Sequence, residues 1–280
     1  GGINSGAYGY NLLFKPLPGA QFASAGGWCS THPQLRDYRR DIAMIPCGGA
    51  DFYVFSVVRV DGGNVHTYCF HGSRSQEWGT NCGEKPTAKD PLNLMDRCKD
   101  WGSGRTKDPT VIGWKLALGK NDPADVHVRH HAFGIGGLTF YMARGTGSYT
   151  KDTPFFWAER LSPKPLSDAY MSVTEPWQDA PTLRSVRELQ LASAESRRGH
   201  DRVRAVEVVT AGGRRDILAA NGRPGKTVEL DSGLRFDGHF AFIAEDRSGL
   251  VRATLIGGTR LKNGRLSIEA ARAEYSGKIM

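Results

Sequence analysis

The sequence has no apolar run approaching the ~20 residues that a membrane-spanning helix requires, which excludes a helical span. Its five cysteines, Cys29, Cys47, Cys69, Cys82 and Cys98, all fall in the first 98 residues and include no Cys-x-x-Cys pair. That spacing excludes the common structural zinc sites, and an odd count leaves at least one thiol without a partner inside the chain. Two readings stay open: one disulfide in the Cys69–Cys98 region, or free thiols throughout. Cysteine usage therefore does not decide the compartment. No Asn-x-Ser/Thr sequon occurs. Gly222 to Thr227, GRPGKT, has two residues between its glycines where a phosphate loop needs four. Gly134 to Leu138, GIGGL, lacks the spacing and context of a dinucleotide fingerprint, and there is no Gly-x-Ser-x-Gly elbow. The opening GGINSGAYGY has no initiator Met, basic segment or apolar core of a signal peptide, and reads as the start of a fragment or processed product.

What is present is the composition of a globular chain, 39% hydrophobic and 24% charged over 280 residues, long enough for one large β-domain or two ordinary ones. The formal charge of +8 and the pI near 9.3 favour acidic partners, a polyanionic glycan or a nucleic acid. The basic residues are scattered. Their densest group, Arg197, Arg198, Arg202 and Arg204, is interrupted by His200 and Asp201 and reads as a solvated surface. Nucleic acid ranks below glycan, because a single-strand platform needs aromatics interleaved with Lys and Arg on one sheet face, which the main aromatic segment lacks.

Turn signals recur: Asp61-Gly62-Gly63, Ala211-Gly212-Gly213, Asn221-Gly222, Asp246 to Gly249 and Asn263-Gly264. Val203, Val206 and Val208 carry strand-like spacing, and Val251, Ala253 and Leu255, then Leu266, Ile268 and Ala270 after the turn, read as successive antiparallel strands. Helical periodicity is scarce. Asp90 to Lys99 is the best candidate, with Asp90 as cap, Pro91 in the first position and Leu92, Leu94 and Met95 on one side. Residues 72–110 read as a long Gly-, polar- and Cys-rich loop of the kind that forms lids or binding surfaces. The predicted fold class is all-β: a large, supersandwich-like antiparallel β-sandwich with one or two short helices. We expect one β-sandwich region over 1–280, with a sub-boundary near 165 as the alternative, marked by the prolines of Ser162 to Leu166 and Glu175 to Thr182.

The densest signal is Asp51 to Gly72, DFYVFSVVRVDGGNVHTYCFHG, which predicts a hairpin about Asp61-Gly62-Gly63-Asn64. Its register sets Phe55 against Phe70, Val57 against Tyr68, Arg59 against His66 and Val54 against His71. Period two then places Tyr53, Phe55, Val57, His66, Tyr68 and Phe70 on one face, and sends His66 and His71 to opposite sides. That aromatic face is either core packing or a platform for sugar rings.

Tyr38 to Arg40, YRR, followed by FYVFSVVRVDGG and HTYCFHG, resembles the central β-domain of heparinase II/III-like polysaccharide lyases. Tyr170 to Asp179, YMSVTEPWQD, and the run from Gly249 to Thr259 are similar to later blocks of that family, so the likeness runs in order over residues 36–280 and would continue past Met280. Ser56 and Thr67 depart from it, standing where acidic residues are usual. The resemblance implies β-elimination on an acidic, uronic-acid polysaccharide and a periplasmic or extracellular location. It also implies that the principal Tyr and Asn come from an N-terminal helical toroid domain, and that a His-x-His-x-Asp segment adds a His and a metal ligand. Neither feature is in these 280 residues. The expectation is a substrate-contacting part that lacks the main catalytic set, with no cofactor of its own. A non-catalytic module binding acidic glycans is the alternative.

β-Elimination needs a group to neutralise the uronate, a base and an acid, tasks that suit Tyr, His, Asn and Arg. Two candidate substrate-binding groups follow. His71 and Arg74, with Glu77 and Trp78 behind them and His66 nearby, would form a wall of the glycan groove. In Asp125 to His131, DVHVRHH, a strand would place His127, Arg129 and His131 on one face, the two histidines ~13 Å apart and too distant to share a metal. The expectation there is a basic strip along the groove.

Overall fold

The computed structural model describes residues 7–17, 19–29, 32–87, 89–94, 97–116, 125–148, 151–192, 199–264 and 266–269. In chain order the strands are β1 (Ala7–Leu17), β2 (Ala20–Cys29), β3 (Leu35–Gly48), β4 (Asp51–Gly62), β5 (Val65–His71), β6 (Ser75–Thr80), β7 (Glu84–Pro86), β8 (Cys98–Arg105), β9 (Thr110–Leu116), β10 (His127–Phe133) and β11 (Thr139–Gly145). There follow β12 (Pro154–Leu161), β13 (Ser167–Trp177), β14 (Leu183–Leu189), β15 (Val203–Thr210), β16 (Arg215–Asn221), β17 (Val228–Glu229), β18 (Arg235–Phe236), β19 (Phe240–Asp246), β20 (Gly249–Ile256), β21 (Arg260–Asn263) and β22 (Leu266–Glu269). Among the described residues a single 3-10 turn, Gly199–Asp201, is the only helical element. The chain is thus all-β, built of antiparallel sheets.

Two compact units emerge. Unit 1 takes Gly1–Gly62, Ser167–Met171 and Thr182–Met280; unit 2 takes Gly63–Leu166 and Ser172–Pro181, so β13 contributes to both. One change of unit falls beside the proline-marked stretch 162–166, and another at the end of 175–182.

In unit 1, β1 to β4 form a meander, and the turn between β3 and β4 uses Gly48 and Gly49 at positive φ (122° and 57°). A five-stranded sheet, β14-β15-β16-β19-β20, is covered on both faces. On one side Ile217, Ala219, Ile243 and Leu255 pack with Val228, Phe236 and Leu261 of the four-stranded sheet β17-β18-β21-β22. On the other, Phe240 stacks on Phe22 of β2 at 4.8 Å and tilts against Phe55 of β4 at 6.3 Å. Each such buried phenylalanine contributes about 2 kcal/mol by removing apolar area from water. Polar groups at this level are satisfied internally: the Tyr53 hydroxyl donates to Asp216 Oδ2 at 2.8 Å, and Arg214 grips the same carboxylate with Nε and Nη2.

In unit 2, the later residues of β13 belong with β10, β9 and β6, and the second sheet runs β5-β12-β11-β8-β7. Their inner faces meet at His130, whose ring stacks on Phe70 at 3.7 Å and whose Nε2 lies 2.8 Å from the Tyr68 hydroxyl. Thr174 holds the other ring nitrogen at 2.7 Å, so this histidine is a satisfied core group. Trp114 and Phe70, 5.3 Å apart, extend the same core.

Several expectations are corrected. β4 and β5 are strands, but they do not form the predicted hairpin. β4 pairs with β3, with Ala43 opposite Phe55, and β5 pairs with β12, with Phe156 opposite Phe70. Gly62 and Gly63 do turn the chain at positive φ, yet the turn carries it into a different sheet. The aromatic face is core: Tyr53 and Phe55 are fully buried, as is most of Tyr68. Asp90 to Lys99 is no helix. Asp90 caps a turn through the Leu92 N–H, Asn93 takes φ 51°, and Cys98 already opens β8; Met95 and Asp96 lie outside the described residues. The 72–110 stretch holds β6, β7 and β8 rather than one loop. The strands at 251 and 266 belong to different sheets, with β21 between them, and Ala270, Arg197 and Arg198 lie outside the described residues. Cys69, Cys82 and Cys98 are free thiols.

Candidate functional site

Strand pairing across β6, β9 and β10 in unit 2 sets side chains in rows. Glu77, Lys115 and His127 stand side by side, then Gly79, Gly113 and Arg129, and then Val111 and His131. Period two keeps all of these on one face. A Cβ placed at Gly79 would meet nothing within 4 Å, and one at Gly113 would meet only the Val128 carbonyl at 3.8 Å. The middle row is therefore an open floor leading to Arg129, and its flanking rows lie about 13 Å apart by strand rise.

The charged groups around this floor are matched in pairs. Lys115 Nζ lies 2.7 Å from Asp125 Oδ1, and His127 Nε2 lies 3.1 Å from the same oxygen. The Lys115–Asp125 hydrogen bond holds the ammonium above its ordinary pKa and the carboxyl below its own. Arg129 donates from Nε, at 2.7 Å, and from Nη2 to Oε1 of Glu175, a fully buried carboxylate. His131 Nε2 is 3.9 Å from that oxygen and, buried, makes no hydrogen bond. The predicted strand and the shared face of His127, Arg129 and His131 are both present. The predicted basic strip is not, because Asp125, Glu175 and Glu77 balance its cations.

Trp177, from the end of β13, joins the two predicted residues. The His127 ring lies parallel to it, 5.3 Å away at 12°, and Arg129 Cζ sits 5.3 Å from the same indole centroid, a cation–π contact. An indole carrying a guanidinium and an imidazole beside an open floor offers the two contacts a uronate sugar asks for: an apolar ring face and donors for a carboxylate.

The remaining predicted residues do not join this constellation as one wall. Glu77 belongs to the floor's edge, whereas Trp78 points to the opposite face of β6, beneath Arg144 (Cζ 5.4 Å from its ring). There Trp78 helps line a cavity of about 10 Å³ with Phe70, Trp114 and Phe156. His66 is buried on β5. His71 is exposed at the end of β5, its ring 5.5 Å from Phe155, and Arg74 is exposed with no ion pair or hydrogen bond among the described residues. Sequence reasoning did not select Trp177 or Lys115 as site residues. Trp177 stood in the quoted Glu-Pro-Trp block and could have been paired with the DVHVRHH strand only through non-local strand order.

Among the described residues no group of three or more His, Cys, Asp or Glu side chains is arranged to hold a metal ion. The chain matches no family model, and no curated protein is similar to it.

Proposed function

We propose that this chain is the β-sandwich part of a polysaccharide lyase acting on acidic, uronic-acid polysaccharide, and that unit 2 supplies contacts to the glycan without the main catalytic set. The observation that carries the reading is Trp177 with His127 and Arg129 on its ring, at the end of the Gly79–Gly113 floor. Support also comes from the ordered blocks of sequence resembling heparinase II/III-like lyases and from the net charge of +8, which draws a polyanion toward the protein. In this reading Trp177 stacks on a sugar ring. Lys115 and Arg129, whose side chains are 30% and 29% exposed, exchange part of their pairing with Asp125 and Glu175 for the ligand carboxylate.

Native electrophoresis through gels containing alginate or heparin tests this. Trp177→Ala should weaken retention about ten-fold, the loss typical of a buried aromatic anchor. Lys115→Ala should reduce the salt dependence more than the affinity at high salt. Arg129 is a poor test position, since its removal strands the buried Glu175 carboxylate and destabilises the fold. Unchanged retention in both variants would overturn the assignment.

A further inference from the structure

The outer face of the β5-β12-β11-β8 sheet carries a second set of aromatic rings, on strands whose opposite faces form the unit 2 core. Phe155 and Trp157 alternate with the buried Phe156 and Ala158, so they point away from that core. Strand register puts His71 beside Phe155, Cys69 and Tyr141 beside Trp157, and Thr67 and Thr139 beside Glu159. The rings form a continuous row. His71 to Phe155 is 5.5 Å, Phe155 to Trp157 is 5.4 Å with planes 9° apart, and Trp157 to Trp101 is 5.5 Å at 24°. Phe155, Trp157 and Tyr141 are half-buried, while Thr67, Cys69 and His71 are exposed.

The row differs from a hydrophobic core in its polar company. Among the described residues the Tyr141 hydroxyl, the Trp157 indole N–H and the Glu159 carboxylate make no hydrogen bond within the protein, although each lies on this partly solvated face. Glu159 is the carboxylate set among the rings, and the nearby cations, Arg105 and Lys85, sit toward the β8–β7 rim. A polyanion gains little here, and a flat apolar partner would cover groups left without hydrogen bonds. Apolar rings interleaved with hydroxyl, carboxylate and indole N–H groups match a pyranose, which has an apolar CH face and a rim of hydroxyls.

We infer that this face is a second carbohydrate-binding surface, one that takes an uncharged stretch of glycan by stacking on Phe155 and Trp157. It is distinct from the charge-matched floor around Trp177 and does not depend on that assignment.

Cys69, directly opposite Trp157, supplies a reporter on the same face. The full chain is run in native gels cast with hydroxyethyl cellulose, with mannan or with alginate, at low salt and at about 0.5 M NaCl, where charge attraction is screened within a few ångströms. The inference expects retention by at least one of the neutral polysaccharides, insensitive to salt. Retention should weaken about ten-fold in Trp157→Ala and be kept in Trp177→Ala. The retaining polysaccharide should also slow alkylation of Cys69 several-fold, read by peptide mass spectrometry, while Cys47 is unaffected. Retention by neither neutral polysaccharide, or equal retention in Trp157→Ala, would overturn it. So would a second copy as the occupant, seen as a dimer by sedimentation that Trp157→Ala converts to monomer. A folded Tyr141→Phe variant with weakened retention would tie the effect to this face should Trp157→Ala fail to fold.

Discussion

Replacing Arg59 by Met tests the energetics of unit 1 most sharply. The guanidinium is wholly buried and has four acceptors: Asp41 Oδ2 at 3.1 Å, the His200 and Arg202 carbonyls at 2.7 Å each, and the Ala220 carbonyl at 3.1 Å. Methionine fills much of the volume of the arginine stem, so the cavity contribution is small. What remains is a buried Asp41 carboxylate whose other partner is Ser24 Oγ at 2.7 Å, together with three carbonyls that have lost a donor. Removing one member of a buried pair costs about 3–5 kcal/mol, and orphaned carbonyls that water cannot reach raise it by about 1 kcal/mol each. We expect a loss of about 6–8 kcal/mol, a large share of the ~5–15 kcal/mol that holds a typical domain folded. Arg59→Lys keeps the charge but not the fork and should lose roughly half as much. Adding Asp41→Asn to Arg59→Met should recover part of the loss, since the unpaired charge is gone. Equilibrium unfolding in urea, followed by far-ultraviolet circular dichroism, reads these differences. A loss below about 1 kcal/mol, the range of exposed ion pairs, would refute the reasoning, as would a double variant no more stable than the single one.

Asp237 gives a prediction in pH. Burial pushes its pKa up, but hydrogen bonds from the Arg260 N–H and from the Thr259 hydroxyl and N–H more than offset this and hold it below the ordinary carboxylate range. A depressed folded pKa means stabilisation that is present above the unfolded value near ~4 and is lost as pH falls through the folded value. Asp237→Asn should therefore lower the thermal midpoint at neutral pH and flatten its fall below about pH 4; a parallel acid limb in both proteins would contradict this. Arg74, exposed and without a partner among the described residues, should act only through long-range charge. Arg74→Ala is expected to weaken binding to a uronate oligosaccharide modestly at low salt and to leave it unchanged at high salt, so an effect that persists at high salt would point to direct contact.

The fold class was legible because strand signals are local. The alternation of Tyr53, Phe55 and Val57, or of Val206 and Val208, marks strands whichever neighbours they find. Partner choice was not legible. Asp61-Gly62-Gly63-Asn64 has the residues of a tight hairpin, and the same positive-φ glycines serve equally to pass a chain between sheets. Meanwhile Gly48 and Gly49, which do close the β3–β4 hairpin, follow a proline and a cysteine and lack the Asn-Gly or Asp-Gly pair that marks a tight hairpin turn. The helix signal at Asp90-Pro91 was a cap and a fixed φ, and both features also build a single turn. At the site, the DVHVRHH strand announced its shared face, but the carboxylate that neutralises it, Glu175, lies on a different strand. Charge balance of a surface is a tertiary property: of the acids that balance this strip only Asp125 lies in the same segment, and Glu77 and Glu175 come from β6 and β13. The row at Phe155 and Trp157 was hidden for a related reason. Three consecutive aromatics, Phe155, Phe156 and Trp157, must serve both faces of a strand, and only the assembled sheet separates Phe156 in the core from the two rings that point outward.

The most direct test of the central claim is to incubate the 280-residue chain with alginate, heparin and chondroitin sulfate, following the ultraviolet absorbance of the unsaturated uronate that β-elimination produces while scoring retention on the same glycans in native gels. The account predicts retention by at least one of them and no rise in absorbance. A rise would contradict it by showing that this chain holds its own base and acid, and flat absorbance without retention on any of the three would contradict its assignment as a part that contacts acidic polysaccharide.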